Sequence, residues 1–316
     1  MPQVISSPRA GSGDGESVAT ENLEFELLCA CCVSALFTSN DERIAGLMSP
    51  GVRWDVLLEQ AEFHNVEPLI CAKLLEFRAS LPSNVDKDLE RRFATNAQRS
   101  LRLTRELTRI LACLENHSVD AIPYKGPALA QAIYGDVAMR QFSDLDILIR
   151  ASDFDRAGEA VRELGYEPST KLRAPVERAW LKTGYERGFD GPQGKNLLEL
   201  QWRAAPQFYA VGIDVEDWFR RATYISLGER KVRALAPEDL LLALCVHACV
   251  RVAGAEAVYT DLLRAVIDGH GLRQENDRAF RCAIDRCLCA SCQSPSRGHV
   301  NDRTAARLFH EGDHVL

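Results

Sequence analysis

Pro123-Tyr-Lys-Gly-Pro-Ala-Leu-Ala130 and Ser143-Asp-Leu-Asp-Ile-Leu-Ile149 are the two segments whose reading decides the fold. Val119 to Tyr124 is a short β-like run, Lys125-Gly126-Pro127 breaks it, and Ala128 to Tyr134 is helical in composition, so the first segment reads as strand, glycine turn, helix. The second segment is an apolar strand that opens on two acids. A period of two puts Asp144 and Asp146 on one face of a sheet, with Leu145 and Ile147 on the other. Carboxylates that close repel one another, and a divalent cation between them converts the repulsion into binding. Hard oxygen donors select magnesium or manganese over softer metals.

Working outward, Ser152 is placed to cap a helix running through Leu164 and closed by Gly165. Tyr185 to Asp190 and Asn196 to Trp202 flank the turn Gly191-Pro-Gln-Gly194 and read as a hairpin. In its second strand, alternation sets Glu199 and Gln201 against Leu198 and Leu200. If that strand neighbours the Asp144 strand, three carboxylates converge beside the Lys125-Gly126 turn. Backbone N–H groups at the start of the Pro127 helix, with the Lys125 ammonium, suit phosphate oxygens, and Arg140 adds a fork-shaped donor. Carboxylates, cations and an anion-binding turn are the components of metal-assisted nucleotidyl transfer.

The flanks are helical. From Glu21 to Asn116, Trp54, Leu57, Leu58 and Ala61 recur at helical spacing, a second run starts at Pro68, and Asp86 to Asn116 is a long amphipathic stretch. After a short helix at Trp218 and a small hairpin turning at Gly228-Glu-Arg-Lys231, Pro237 opens an apolar helix to Val252, and another helix is expected from Ala255 to Ile267. The expected organisation is a disordered tail over 1–20, a helical region over 21–116, an α/β core over 117–235, a helical region over 236–290 and an irregular tail over 291–316. The fold class is α+β: a mixed β-sheet core with helices, flanked by N- and C-terminal helical regions.

Composition narrows the function. The 316 residues are 46% hydrophobic and 26% charged, ordinary values for a globular chain. A net charge of -7 argues against a nucleic-acid partner, which draws on clustered cations, and favours a small-molecule, peptide or protein acceptor. Leu27 to Phe37 and Leu240 to Val252 fall short of the roughly 20 apolar residues of a membrane span. Met1 to Thr20 lack the basic start and apolar core of a secretory signal, and eleven cysteines is an odd number, so a cytoplasmic, reducing setting is expected. Cys29, Cys31 and Cys32, and the looser group Cys282, Cys287, Cys289 and Cys292 with His299, read as thiols rather than zinc knuckles.

Residues 123–130, Tyr134-Gly-Asp136, Arg140 and residues 143–149 together resemble the signature of an uncharacterised bacterial nucleotidyltransferase family within the DNA polymerase beta-like superfamily. The likeness extends to Trp54-Asp-Val-Leu-Leu58 and His64-Asn-Val-Glu-Pro-Leu69, and to Pro237 through His247 with Asp261, covering roughly residues 22 to 268. It implies Asp144 and Asp146 as magnesium (or manganese) ligands, and Glu199 as a third ligand that helps activate the acceptor hydroxyl. It also implies a nucleoside triphosphate co-substrate, ATP first, whose nucleoside monophosphate passes to a hydroxyl or phosphate on a small molecule, peptide or protein. Lys125 and Gly126 stand where the superfamily has Gly-Ser, and Gln201 and Arg251 stand where histidines are common. Two other functions compete: a catalytically inactive nucleotide-binding or interaction protein of the same fold, and a DxD glycosyltransferase. The latter expects a βα nucleotide domain ahead of the acids, where this chain has helices. His247, in an apolar helix with Arg251 one turn later, reads as a hydrogen-bonded core residue or as an acceptor or phosphate contact, not as a catalytic group, and Trp202 and Trp218 read as packing residues.

Overall fold

A long amphipathic helix organises the molecule, because its two halves feed two different cores. The computed structural model describes residues 17–36, 41–205 and 213–251. Four helices come first: α1 (Ser17–Leu36), α2 (Asp41–Leu47), α3 (Trp54–Phe63) and α4 (Glu67–Leu75). The long helix α5 (Ser83–Asn116) follows. Val85 and Leu89 near its start join Leu57, Ala61, Ile70 and Leu74 in an all-helical core, and Leu103, Leu107, Ile110 and Leu114 near its end face the sheet. The three- and four-residue spacing of these leucines makes both contacts from one helix face.

The chain then builds β1 (Ala121–Pro123), α6 (Gly126–Tyr134), β2 (Asp144–Ile149), α7 (Phe154–Glu163), β3 (Glu167–Pro168), α8 (Ala174–Thr183), β4 (Glu186–Asp190) and β5 (Leu197–Gln201). The five strands form one mixed sheet in the order β1-β2-β5-β4-β3. Strands β2 and β5 run parallel, with Asp146 opposite Glu199, and the other pairings are antiparallel. Leu145, Ile147, Ile149, Leu198, Leu200 and Phe189 point to the core under α5 and α7. Burying this many aliphatic side chains, at about 25 cal/mol per Å² of apolar surface, is what holds the acids in place on the opposite face.

That opposite face is covered only in part. α9 (Val215–Arg221), then the hairpin β6 (Thr223–Leu227) and β7 (Arg230–Ala234), then α10 (Pro237–Arg251) complete the described chain. Trp218, Phe219 and Leu235 cover Ile122 and Leu148 at one end of the β1–β2 pair, which leaves the Asp144 and Asp146 end to polar groups. The fold is the expected α+β arrangement, with a mixed sheet and flanking helices.

Several boundaries differ from the sequence reading. α1 begins at Ser17, α5 at Ser83 directly after Pro82, and α6 at Gly126. Ser152 lies in a 3-10 turn, Ala151–Asp153, and α7 starts after it without a side-chain cap bond. The β6–β7 turn is only Gly228-Glu229, because Leu227 already pairs with Arg230; Gly228 supplies the left-handed φ of +62° that so tight a turn needs. Strand β3 and helix α8 lie outside the sequence reading; α8 fully buries no side chain, Val176 and Trp180 standing exposed and only Leu181 packing against the core. Trp202 and Trp218 are packing residues as expected, Trp202 making an edge-to-face contact with Phe154 at 5.2 Å. The expected helix over 255–267, the Cys282–Cys292 group and both tails before 17 and after 251 lie outside the described residues. No described helix is long and apolar enough to cross a membrane.

Candidate active site

The parallel pairing of β2 with β5 and the β4–β5 hairpin place Asp144, Asp146, Glu199, Gln201 and Glu186 on one face of the sheet. Glu186 pairs with Gln201, one strand beyond Glu199. The face is buried for something so polar: Asp146 is 2% exposed and Gln201 1% exposed. Asp144 stands at the open edge, half-buried, opposite Leu197.

Gln201 is the hub. Its Nε2 lies 3.1 Å from Asp146 Oδ1, from Glu186 Oε2 and from Glu199 Oε2. One amide carries two hydrogens, so three acceptors share two donors; Tyr185 adds a hydrogen bond to Glu186, and side-chain hydrogen bonds also link Glu199 to Asp146 and to Glu186. The Tyr124 hydroxyl donates to Gln201 Oε1, which turns the amide nitrogen toward the carboxylates. Burial, with the negative charge of Asp146, Glu186 and Glu199 around it, keeps the Tyr124 phenol protonated well above its ordinary range, consistent with this donor role.

Lys125 leaves the end of β1 and its Nζ donates to Asp146 Oδ1 at 2.7 Å, while its ammonium lies 5.2 Å from the centre of the Tyr124 ring. The next residue explains the glycine. Gly126 has φ +53°, and a Cβ there would come within 3.2 Å of the Asp144 carbonyl oxygen, so only glycine lets the start of α6 lie against β2. Sequence thus places a cation and a helix N-terminus beside the paired acids.

One ammonium does not balance the charge. Burial first, and the charges of Asp146 and Glu186 second, push the Glu199 carboxyl above the ordinary carboxylate range, and burial does the same to Glu186. Like charges held together at low dielectric are what a bound divalent cation relieves. The donors are all oxygens on a buried face with a surplus of negative charge, so the residues fit magnesium or manganese.

A cavity of about 290 Å³ opens beside Lys125. Tyr124, Lys125 and Arg140 line it together with apolar side chains that include Leu129, Ile225 and Leu240. Arg140 is therefore brought to the same hollow as Lys125, and its backbone carbonyl is fixed by the Asn96 amide. His64 and His247 also line the cavity, so His247 faces a pocket rather than a closed core. Of the residues singled out in the sequence, Asp146, Glu199 and Lys125 meet, Asp144 and Gly126 adjoin them, and Arg140 lies on the cavity wall. The sequence reading missed Glu186 and Tyr124. The hairpin count carried the signal for Glu186, since a register through Asp190 and Leu197 sets it opposite Gln201.

The thiols of α1 behave as packing groups: Cys31 and Cys32 are buried, and burial pushes Cys32 up to about 12.

Comparison with known proteins extends the picture. No curated protein sequence matches the chain. The solution structure of the antibiotic-resistance factor ANT(2'')-Ia aligns with 68% of this chain and 100% of that one, at 14% identity and a TM-score of 0.40. Its crystal structure with adenylyl-2''-tobramycin aligns with 60% of this chain and 99% of that one, at 14% identity and the same TM-score. An antigenic nucleotidyltransferase-like protein from Paracoccidioides brasiliensis aligns with 60% of this chain and 87% of that one, at 16% identity and a TM-score of 0.36. Residues 50–295, well over half of the chain, match a family described as uncharacterised nucleotidyltransferase, and the chain belongs to that family.

Proposed function

We propose that the protein moves a nucleoside monophosphate from a nucleoside triphosphate, ATP first, to a hydroxyl or phosphate of a small-molecule, peptide or protein acceptor in the cytoplasm. The observation that carries the reading is the buried meeting of Asp146, Glu199 and Glu186 on paired strands beside Lys125. Asp144, Asp146 and Glu199 would hold the magnesium (or manganese) ion. When bound, such a cation neutralises triphosphate charge and lowers the pKa of an attacking hydroxyl.

The chain's own groups do the rest. Lys125 and the N-terminus of α6 bind phosphate oxygens, and Arg140 reaches them from the cavity wall. The cavity, which Lys125 joins to the acids although none of Asp144, Asp146, Glu186 and Glu199 lines it, receives the nucleoside or the acceptor. The acceptor oxygen forms a bond to the α-phosphorus, the bond to the bridging oxygen breaks, pyrophosphate leaves, and the acceptor proton passes to Glu199. Burial alone favours the protonated Glu199 carboxyl; a cation held by Asp144, Asp146 and Glu199 would favour the carboxylate, the form that takes that proton. Tyr124 and Gln201 are positioning residues that hold Asp146 and Glu199.

The inactive nucleotide-binding reading has one observation in its favour, the Lys125 ammonium already seated on Asp146. Pyrophosphate release decides between the two. An acceptor screen with ATP and magnesium should release pyrophosphate from the wild type and not from Asp146→Asn. Nucleotide binding with no release across broad acceptor classes, aminoglycosides, peptides and nucleotides among them, would favour the inactive reading.

A further inference from the structure

Away from the acids, at the other end of β1, the ends of α5 and α7 bring a second set of ligand groups together. Cys113 Sγ, a ring nitrogen of His117 and a carboxylate oxygen of Glu163 all lie within 4.8 Å of one another. Cys113 and His117 are four residues apart at the end of α5, which puts them on one face, and Glu163 is the last residue of α7.

The histidine hydrogen bonds are informative. His117 Nδ1 lies 2.9 Å from the Cys113 carbonyl oxygen. A carbonyl only accepts, so Nδ1 carries a hydrogen and donates it. Nε2 then faces Glu163 Oε1, a second acceptor, at 3.1 Å. Two acceptors around one imidazole leave Nε2 two choices: a second proton, or a cation lodged between ring and carboxylate. An imidazole fixed through Nδ1–H on a backbone carbonyl is the arrangement that orients metal-ligating histidines. Cys113 Sγ approaches the Ala160 carbonyl at 3.2 Å, which places its thiol between the two helices. The charged groups that act on this cluster are Glu159 and Glu163 on His117, and Glu163 and Arg109 on Cys113.

We infer that Cys113, His117 and Glu163 form a zinc site with a fourth position open to water. Sulfur and imidazole donors exclude magnesium and calcium and suit zinc, whereas the Asp146 cluster offers oxygen alone. On binding, the Cys113 thiol proton leaves to water and sulfur coordinates as thiolate. His117 coordinates through Nε2, giving up any proton held there and keeping Nδ1–H on the carbonyl, and Glu163 coordinates as carboxylate. Thiolate and carboxylate together balance the two charges of the ion, and nothing is oxidised or reduced. The ion clamps α7 to the end of α5.

The test uses the full chain in excess magnesium, which occupies oxygen sites without competing for sulfur. Zinc is titrated against a chromophoric chelator, and cobalt is used as a spectroscopic stand-in, for the wild type, Cys113→Ser, His117→Ala and Glu163→Gln. The wild type should bind one more equivalent of zinc than Cys113→Ser or His117→Ala, and the thiolate-to-cobalt charge-transfer band from this equivalent should vanish in Cys113→Ser. Glu163→Gln, a change on an exposed side chain, should weaken that equivalent by about 10-fold or more. Zinc should raise the melting temperature of the wild type more than that of the variants. Unchanged stoichiometry and an unchanged cobalt spectrum in Cys113→Ser would overturn the site. Should that variant fail to fold, undiminished zinc affinity in Glu163→Gln would overturn it instead.

Discussion

At the Asp120 end of the β1–β2 pair every acid meets an arginine, and at the Lys125 end the acids outnumber their cation. Asp120, just ahead of β1, accepts from Arg150 at the exit of β2 at 3.0 Å and from Arg233 of β7 through both its oxygens. Arg150 also reaches Glu216 at 2.9 Å and stacks 4.0 Å from the Phe219 ring centre. Burial pushes the Asp120 carboxyl up, yet the Arg233 and Arg150 hydrogen bonds outweigh it and hold the group below the ordinary range. At the other end Asp146, Glu186 and Glu199 share a single cation, Lys125, with the Gln201 amide and Tyr185 as neutral partners, and Glu186 and Glu199 are driven upward. The same two strands are thus bolted at one end and electrostatically strained at the other. On the function proposed above, the strained end is where a bound cation would supply the missing charge.

The largest expected effect breaks the strained end. Asp146→Asn should lower pyrophosphate release on the order of 100- to 1000-fold, by analogy with removing one electrostatic contact to a transition state, while circular dichroism stays that of the wild type. Breaking the bolted end should do the converse. Asp120→Ala leaves two guanidinium groups without their shared acid and should cost about 1–2 kcal/mol of stability in urea unfolding, a figure held down by the solvent around this half-exposed cluster, with turnover per folded molecule nearly unchanged.

Relieving the strain should help the fold and harm the chemistry. Glu199→Gln makes permanent the uncharged state that burial favours, and should hold or raise stability by about 1 kcal/mol while losing activity, read from paired urea and pyrophosphate assays. Acid sharpens the contrast further. Because the folded Asp120 titrates below its unfolded value, its contribution is complete above the ordinary aspartate pKa and disappears as pH falls through the lower folded one. The stability gap between wild type and Asp120→Ala should therefore be constant near neutrality and shrink below roughly pH 4. The smallest effect belongs to an exposed pair: Arg230→Ala, which removes the contact with Glu115, should change stability by less than about 0.5 kcal/mol.

Much of the site was legible because strand alternation is a local signal. Asp144-Leu-Asp-Ile and Leu-Glu-Leu-Gln201 each show which side chains share a face. Whether the two strands touch is a long-range matter, and only the parallel β2–β5 pairing joins Asp146 to Glu199. Glu186 depended on hairpin register, and Tyr124 passed for an apolar strand residue because nothing local shows that its hydroxyl is buried against Gln201. Helix α8 is short, ten residues, and its Val176 and Trp180 stay exposed, so its apolar spacing answers to no core. Cys113 and His117 stand at helical spacing in plain sight, but Glu163 reaches them only through the packing of α7 on α5.

The most direct test of the central claim is calorimetric binding of ATP, with and without magnesium, to the wild type, to Asp144→Asn/Asp146→Asn and to Asp120→Ala. The account predicts tight binding that needs both the metal and the two aspartates and survives in Asp120→Ala. Binding that ignores magnesium and persists in the double aspartate variant would contradict it.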